Sequence, residues 1–219
     1  GAGKSTFIES LGLFIVGTGR KLSVLTVDPS SARTKGSILG DKTRMEKLST
    51  HPSAFIRPSP SAGITGGVAR RTREAIILCE AAGFDTIIVE TTGVGQSETT
   101  VNSLVDFFLL LMLAGSGDEL QGIKRGIMEM ADAVVITKAD GNNVNQAHRA
   151  RELFNNALML FPLPASGIRP QAFSCSALEN KGIEEIWNTI AEHVSQTKKN
   201  GYFLERRKKQ SVTGMYDAI

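Results

Sequence analysis

The 219-residue sequence has little of what marks the unusual protein classes. It contains only 2 Cys and 1 Trp, and the two cysteines, Cys79 and Cys175, are far apart in the chain. A disulfide scaffold and a cysteine metal site are therefore excluded, and we expect two buried thiols. With 41% hydrophobic and 21% charged residues, the composition is that of an ordinary globular domain and not of a disordered or collagen-like chain.

Excess charge and long apolar runs are lacking too. The formal charge of +3 is too small to indicate a nucleic-acid partner, and the basic run at residues 206–209 is typical of a solvated helix face. The most apolar run, residues 107–114, is far shorter than the roughly 20 residues of a membrane-spanning helix, so we expect a buried strand and no membrane span. The chain starts at Gly1 without Met or a signal peptide, so its native N-terminus is expected to lie upstream.

Apolar runs that favour strands alternate with helical patterns along the chain. This alternation predicts an α/β fold with a doubly wound, mostly parallel sheet. The predicted strands are residues 22–27, 54–57, 86–90, 107–113, 133–137 and 171–174. The predicted helices are residues 5–16, 68–81, 145–160 and 183–195. Gly17 and Gly83 are expected to end the first two helices, and the polar stretch after residue 195 could begin a further helix.

The first residues match the end of the phosphate-binding pattern G-x-x-x-x-G-K-[ST]. In such a loop, backbone N–H groups surround the phosphates, the lysine reaches the β and γ oxygens, and the hydroxyl ligates Mg²⁺. Lys4 and Ser5 would take the last two roles. The alternative is a chance helix start, which the apolar helical pattern that follows disfavours. The predicted phosphate-site residues are Gly1, Ala2, Gly3, Lys4, Ser5 and Thr6.

A buried strand ends in the segment T-K-x-D, close to the N-K-x-D signature of guanine-binding proteins. Asp140 would accept hydrogen bonds from the guanine N1–H and 2-amino group, a donor pair that adenine lacks. A second segment after a later strand, S-A-L, would offer backbone N–H groups to the guanine O6. The alternative is a plain strand exit with a solvated lysine. The predicted base-site residues are Thr137, Lys138, Asp140, Ser176, Ala177 and Leu178.

Carboxylates follow two of the predicted parallel strands. Asp28 and Glu90 come at strand ends, where ligands bind in such sheets, and Mg²⁺ prefers oxygen ligands. Ser5, Asp28 and Glu90 are therefore candidate Mg²⁺ ligands. Asp41, in a glycine-rich loop, could join them only if that loop closes. The alternative role for Asp28 or Glu90 is helix N-capping. For Asp28 the sequence favours neither Mg²⁺ binding nor capping over the other.

Five segments resemble the MeaB/ArgK/MMAA family closely: residues 28–31, 36–45, 56–60, 90–98 and 117–126. The family consists of P-loop GTPases that act as chaperones of methylmalonyl-CoA mutase. The resemblance covers nearly the whole chain and implies a Mg²⁺-dependent hydrolase that binds GTP and GDP. It also implies a partner, which is methylmalonyl-CoA mutase or a related acyl-CoA mutase. Adenosylcobalamin would be the cofactor of that partner, and this chain would encounter it only through the mutase.

The resemblance carries further expectations about organisation. Residues 1–197 would form the P-loop GTPase domain without its first strand, and residues 198–219 would begin a helical, dimerising extension. The full-length protein would form a homodimer, in the cytoplasm of a bacterium or in the mitochondrial matrix of a eukaryote. The sequence departs from the family at Lys35, Thr92 and Thr137, and none of these changes removes a charge or a metal ligand.

The loop at residues 115–126 resembles an additional switch segment through which these GTPases sense their mutase; the alternative is a solvated loop. Gln121 and Lys124 are its candidate coupling residues, and the candidate catalytic residues are Lys4, Glu90 and Lys124. Because no motif supplies an evident water-activating glutamine or histidine, a GTP-dependent binding protein with negligible turnover is a second hypothesis. An ATP-dependent kinase or transport ATPase, the third, fits the phosphate loop but not the base site.

Overall fold

The computed structural model describes residues 2–28, 44–60, 65–91, 97–114 and 125–216. Its helices, in chain order, are α1 (Lys4–Gly17), α2 (Glu46–Ser49), α3 (Thr65–Ala81), α4 (Ser97–Asn102), α5 (Arg125–Met130), α6 (Val144–Met159), α7 (Ile183–Lys199) and α8 (Tyr202–Tyr216). Its strands are β1 (Leu22–Asp28), β2 (Ala54–Pro60), β3 (Thr86–Thr91), β4 (Leu109–Leu113), β5 (Ala133–Thr137) and β6 (Gln171–Ser174).

The chain divides into two compact units, and each is described by itself. The first unit consists of residues 1–11 and 106–206, and the second of residues 12–105 and 207–219. Strands alternate with helices in both, so the predicted α/β class is confirmed. The predicted division into a GTPase domain (residues 1–197) and a helical extension (residues 198–219) stays a prediction. Among the described residues, no helix has both the length and the apolar character needed to cross a membrane.

The first unit is built on a parallel sheet in the order β4-β5-β6. Every residue of the central strand β5 is buried, as expected for a parallel strand that is covered on both faces. Helix α6 buries one stripe of side chains, which includes Phe154 and Leu158, and α7 buries Ile183 and Ile186. The carboxyl ends of these three strands meet at one edge of the sheet, which positions the segments that follow β5 and β6.

The second unit contains a parallel sheet in the order β2-β1-β3. Its central strand β1 is buried from Leu22 to Val27, with the polar Ser23 and Thr26 included, as expected for a strand that is covered on both faces. Helix α8 lies against α3 in this unit, where the Arg207 guanidinium is 2.7 Å from the Glu80 carboxylate. The basic run at residues 206–209 is thus helical, but the predicted solvated face is correct only for Lys208 and Lys209, since Arg206 pairs with Asp132.

The predicted strands are all present; β5 and β6 have the predicted ends, and the other four have shifted ends. Strand β4 begins at Leu109 and not at Phe107, because the Phe108 N–H donates to the Asp132 carboxylate (2.8 Å) and not to a neighbouring strand. Gly83 does end a helix in the left-handed conformation (φ 79°), as predicted. Gly17, by contrast, remains helical, and the left-handed residue is Gly19 (φ 84°), so that predicted cap was placed two residues early.

Candidate functional site

The described part of the phosphate loop leads directly into helix α1. Gly3 has a φ of 68°, a left-handed conformation that glycine adopts without strain. The Phe7 N–H donates to the Gly3 carbonyl oxygen (2.9 Å), so the N–H groups of Lys4, Ser5 and Thr6 belong to the first helical turn and have no acceptor within the helix. Such a turn is suited to bind phosphate. Gly1 lies outside the described residues.

Thr137 joins the end of strand β5 to this loop. Its buried hydroxyl is 2.8 Å from the carbonyl oxygen of Ala2 and 3.0 Å from that of Met112, so one hydroxyl hydrogen is shared between two acceptors. The hydroxyl thereby holds the phosphate loop against the sheet. The contact of Thr137 with a base stays a prediction.

Lys138 lies next to the same loop. It has a φ of 58°, which is uncommon for a residue with a side chain. A Cβ atom built on Gly3 would lie 3.6 Å from Lys138 Cε, so the apolar stem of the lysine passes beside the phosphate loop. The predicted phosphate and base segments therefore meet within the first unit.

Asp140 and Ser176 form the second part of the base site. The Ser176 hydroxyl donates to Asp140 Oδ2 (2.7 Å) and accepts from the Glu179 N–H (3.1 Å). Backbone hydrogen bonds in both directions between Ser176 and Lys181, of 3.1 and 3.0 Å, close a turn over residues 177–180. Leu178, in this turn, is exposed. The structure thus brings the carboxylate and the S-A-L segment together, as their predicted roles require.

Cys175 is a buried neutral thiol directly beside this site. Burial, together with the negative charge of Asp140, raises the pKa of its thiol to about 12. Both cysteines are buried and free, as predicted, and Cys175 directly follows strand β6. A thiol with this pKa does not ionise near neutral pH and is no nucleophile.

A contact that no sequence motif covers lies between α1 and the turn. The Ser10 hydroxyl donates to Asn180 Oδ1 at 2.6 Å, although 170 positions separate the two residues. Asn180 has a φ of 54°, and Asn is among the few residue types that tolerate this conformation. The only signal in the sequence was an Asn in a turn, which by itself does not indicate a partner.

The predicted Mg²⁺ ligands are described separately in the two units. Ser5 lies in the first turn of α1, while Asp28 and Glu90 lie at the carboxyl ends of β1 and β3, where Thr26 is in register with Glu90. Hydroxyl and carboxylate groups supply the hard oxygen donors that Mg²⁺ prefers. In the described part of the chain, no three His, Cys, Asp or Glu side chains gather as a metal site, so this ligand set stays a prediction.

Three of the predicted site residues besides Gly1 lie outside the described residues: Asp41, Gln121 and Lys124. Their roles remain predictions. Glu90 is half-buried at the end of β3.

Comparison with known proteins gives a family match over the whole chain. A family model described as "Methylmalonyl Co-A mutase-associated GTPase MeaB" matches residues 1–219. The chain is 52% identical over 220 residues to a probable GTPase of Mycobacterium tuberculosis (strain ATCC 25618 / H37Rv), which covers 100% of this chain and 65% of the relative. It is 50% identical over 212 residues to the GTPase ArgK of Escherichia coli K12, with 97% and 64% covered.

A mouse relative, "Methylmalonic aciduria type A homolog, mitochondrial", is 50% identical over 219 residues, which cover 100% of this chain and 53% of the relative. The chain therefore spans less than two thirds of the length of these relatives. A crystal structure described as an LAO/AO transport system kinase has a TM-score of 0.84 and 40% identity, with 100% of this chain and 64% of that chain covered. Helicobacter pylori HypB, solved with nickel, has a TM-score of 0.58, 20% identity and coverage of 91% and 84%, and it shows the fold alone.

Proposed function

Since the chain belongs to the MeaB family of methylmalonyl-CoA mutase-associated GTPases, we propose that it binds GTP and hydrolyses it to GDP and phosphate. We further propose that it serves an adenosylcobalamin-dependent methylmalonyl-CoA mutase as a chaperone that protects the cofactor and controls its delivery.

One observation carries the nucleotide part of the proposal. Asp140 is held by the Ser176 hydroxyl at 2.7 Å, in the same unit in which Lys138 lies beside Gly3 of the phosphate loop. A carboxylate fixed in this way is an acceptor for the N1–H and 2-amino groups of guanine. Adenine has no such pair, and a carboxylate left without donors would be costly. This arrangement supports guanine over adenine and thus disfavours an ATP-dependent kinase or transport ATPase.

The remaining residues of the site divide the work of holding the triphosphate. The Lys4 ammonium balances the charge of the β and γ phosphates, and the first-turn N–H groups of α1 donate to phosphate oxygens. Ser5, Asp28, Asp41 and Glu90 would hold Mg²⁺, which, when bound, neutralises charge on the phosphates. Glu90 and Lys124 are the further candidates for groups that promote hydrolysis.

The partner part of the proposal is supported by the family and its members. The family description refers to methylmalonyl-CoA mutase, and the mouse relative is a methylmalonic aciduria type A homologue of mitochondria. Adenosylcobalamin would be met through the mutase and not bound by the described site. The relatives include bacterial and mitochondrial proteins, so the site of action would be the bacterial cytoplasm or the mitochondrial matrix. A homodimer of the full-length protein belongs to the same proposal.

The test compares nucleotides on the purified protein. Titration calorimetry with GDP and ADP, each with and without Mg²⁺, should give tight binding of GDP and a much weaker response to ADP. Phosphate release from GTP should fall more than about tenfold in Lys4→Ala, as expected for a P-loop lysine. Equal binding of GDP and ADP would contradict the guanine site. GTP binding without turnover, even with the mutase present, would favour the binding protein of negligible activity.

A further inference from the structure

The hydrogen bond between Ser10 and Asn180 joins two parts of the site that the nucleotide would occupy at once. Ser10 is 7% exposed and lies in α1, the helix whose first turn carries Lys4 and Ser5. It follows Lys4 by six positions, or about 9 Å along the helix axis. Its hydroxyl donates to Asn180 Oδ1 at 2.6 Å. The phosphate helix therefore has a direct side-chain contact with the turn after β6.

The turn at residues 177–180 is fixed at both of its ends. At one end Ser176 bonds the Asp140 carboxylate, and its pairing with Lys181 closes the turn. At the other end Asn180 stands in a left-handed conformation with Ser10 as its side-chain donor. Without the bond to Ser10, Ser176 would be the residue whose side-chain hydrogen bond still ties the described turn to a neighbouring segment, through Asp140. The orientation of the backbone N–H groups in the turn therefore depends on both attachments.

These N–H groups are the proposed donors to the guanine O6. A hydrogen bond of this kind weakens steeply with misalignment, so a small rotation of the turn lowers its strength. Asp140 contacts other atoms of the base, namely the N1–H and the 2-amino group. The contact at O6 and the contact with Asp140 can therefore be tested separately with guanine nucleotides that are each changed at one position.

We infer that Ser10 and Asn180 are positioning residues that hold the 177–180 turn in place for recognition of the guanine O6, and so set part of the base selectivity from the phosphate helix. This role rests on the proposed guanine-nucleotide binding and deepens it.

Three variants isolate the hydrogen bond. Ser10→Ala removes the donor at a helical position where alanine is favourable. Asn180→Gly removes the acceptor, and glycine accepts a φ of 54° without strain. Asn180→Asp keeps an acceptor oxygen and tolerates the same backbone, so it should restore the wild-type behaviour. Thr189→Ala is the matched control, because the Thr189 hydroxyl bonds the Glu185 carbonyl oxygen within its own helix (2.9 Å).

The measurement is the dissociation constant of each protein for GDP, 6-thio-GDP and IDP. 6-thio-GDP replaces only the O6 atom with a weaker acceptor, and IDP lacks only the 2-amino group. In Ser10→Ala and Asn180→Gly we expect affinity for GDP and IDP to fall about fivefold, the equivalent of one neutral hydrogen bond, and affinity for 6-thio-GDP to fall less. The preference for GDP over 6-thio-GDP should thus decrease while that for GDP over IDP stays unchanged. Asn180→Asp and Thr189→Ala should resemble the wild type.

Equal weakening of all three nucleotides, or no change, would overturn the positioning role, as would Asn180→Asp behaving like Asn180→Gly. A lower unfolding temperature accompanied by unchanged nucleotide ratios would show a merely structural contact. If the wild type binds GDP and ADP equally, the proposed function fails as well. If the wild type selects GDP and only the variant ratios are unaltered, the positioning role alone fails.

Discussion

Asp140 is the residue on which base selection should depend most. Replacing it with Asn presents an N–H₂ donor where the carboxylate accepts from guanine, whereas xanthine carries an oxygen in place of the 2-amino group. We expect Asp140→Asn to lower the preference for GTP over XTP by at least about tenfold. Competition between the two nucleotides for the purified protein measures this ratio.

The control for this prediction is Asp85→Asn. Asp85 is an exposed carboxylate of the second unit, and it accepts a hydrogen bond from the Lys21 N–H (2.7 Å). Asp85→Asn changes the net charge by the same amount as Asp140→Asn, and Asp85 is not a residue of the proposed base site. Wild-type discrimination in Asp140→Asn would mean that Asp140 does not read the base.

At the scale of elements, Gly182 determines how α7 begins. It has a φ of 76°, and a Cβ atom there would lie 2.6 Å from the Ser174 carbonyl oxygen and 3.3 Å from Cys175 Cβ. Gly182→Ala therefore adds backbone strain and a clash with the end of β6. We expect a loss of about 1–3 kcal/mol in the free energy of unfolding, measured by urea denaturation.

Gly17→Ala is the matched control for Gly182→Ala. Gly17 is the last residue of helix α1, and none of the described residues has an atom within 4 Å of a Cβ built on it. Alanine is the better helix former, so this variant should be as stable as the wild type or slightly more stable. A similar loss in both variants would indicate that the contact at Ser174 is not the cause.

The segment at residues 115–126 is predicted to couple GTP hydrolysis to the mutase. A segment that contacts a partner in only one state contributes to coupling and little to binding at either site alone. We therefore expect Gln121→Ala to leave basal GTP turnover unchanged and to reduce its stimulation by saturating mutase. The measurement is GTP turnover of the wild type and the variant, with and without mutase.

Lys124 is a candidate for both a coupling and a catalytic role, and Lys124→Ala distinguishes between them. Loss of stimulation alone would place Lys124 with Gln121 in coupling, whereas loss of basal turnover would make it a catalytic group. Full stimulation in both variants would contradict a coupling role for the segment.

At the scale of the whole molecule, the pH dependence of stability should depend on a cluster of buried and half-buried charged groups in the first unit. His193 Nε2 lies 3.9 Å from Asp132 Oδ1, and the Arg206 guanidinium lies 3.7 Å from Asp132 Oδ2. The ring of His193 stands edge-on to that of Phe107 at 4.9 Å. Burial lowers the pKa of His193 below its ordinary value of 6.5, although the carboxylate partly opposes this shift. Burial raises the pKa of Asp132.

The direction of the pH effect follows from these shifts. With a lowered pKa, the folded state binds fewer protons at His193 than the unfolded state does, so stability falls as pH decreases below 6.5. Asp132 acts in the opposite direction, because its raised pKa favours the folded state as pH falls toward 3.8. We expect the decrease in unfolding temperature between about pH 7.5 and 5.5 to be smaller in His193→Gln than in the wild type.

The control is His148→Gln, at an exposed histidine. This variant should show the same change of unfolding temperature with pH as the wild type. The same change in His193→Gln would contradict the role of His193.

The sequence alone predicted the order of the strands and of helices α1, α3, α6 and α7, together with the motifs at their ends. Apolar runs of consecutive residues predicted buried parallel strands, and β5 is buried throughout. The short helices α2, α4 and α5 were not predicted, because four to six residues are too few to show a helical period. G-K-S-T, T-K-x-D and S-A-L are each local patterns whose chemistry depends on residue type and spacing, so the nucleotide site could be proposed without coordinates.

Only the tertiary structure decided which distant residues meet. The Thr137 hydroxyl bonds the carbonyl oxygen of Ala2, which lies 135 positions away in the chain. No sequence motif indicated that Ser10 and Asn180 meet, and the basic run predicted a solvated Arg206, which instead pairs with Asp132. Local patterns reflect backbone preference and burial over a few neighbouring residues, whereas such contacts depend on how strands and helices pack. A single sequence does not encode that packing in any local period, so the partners of these side chains become visible only in the fold.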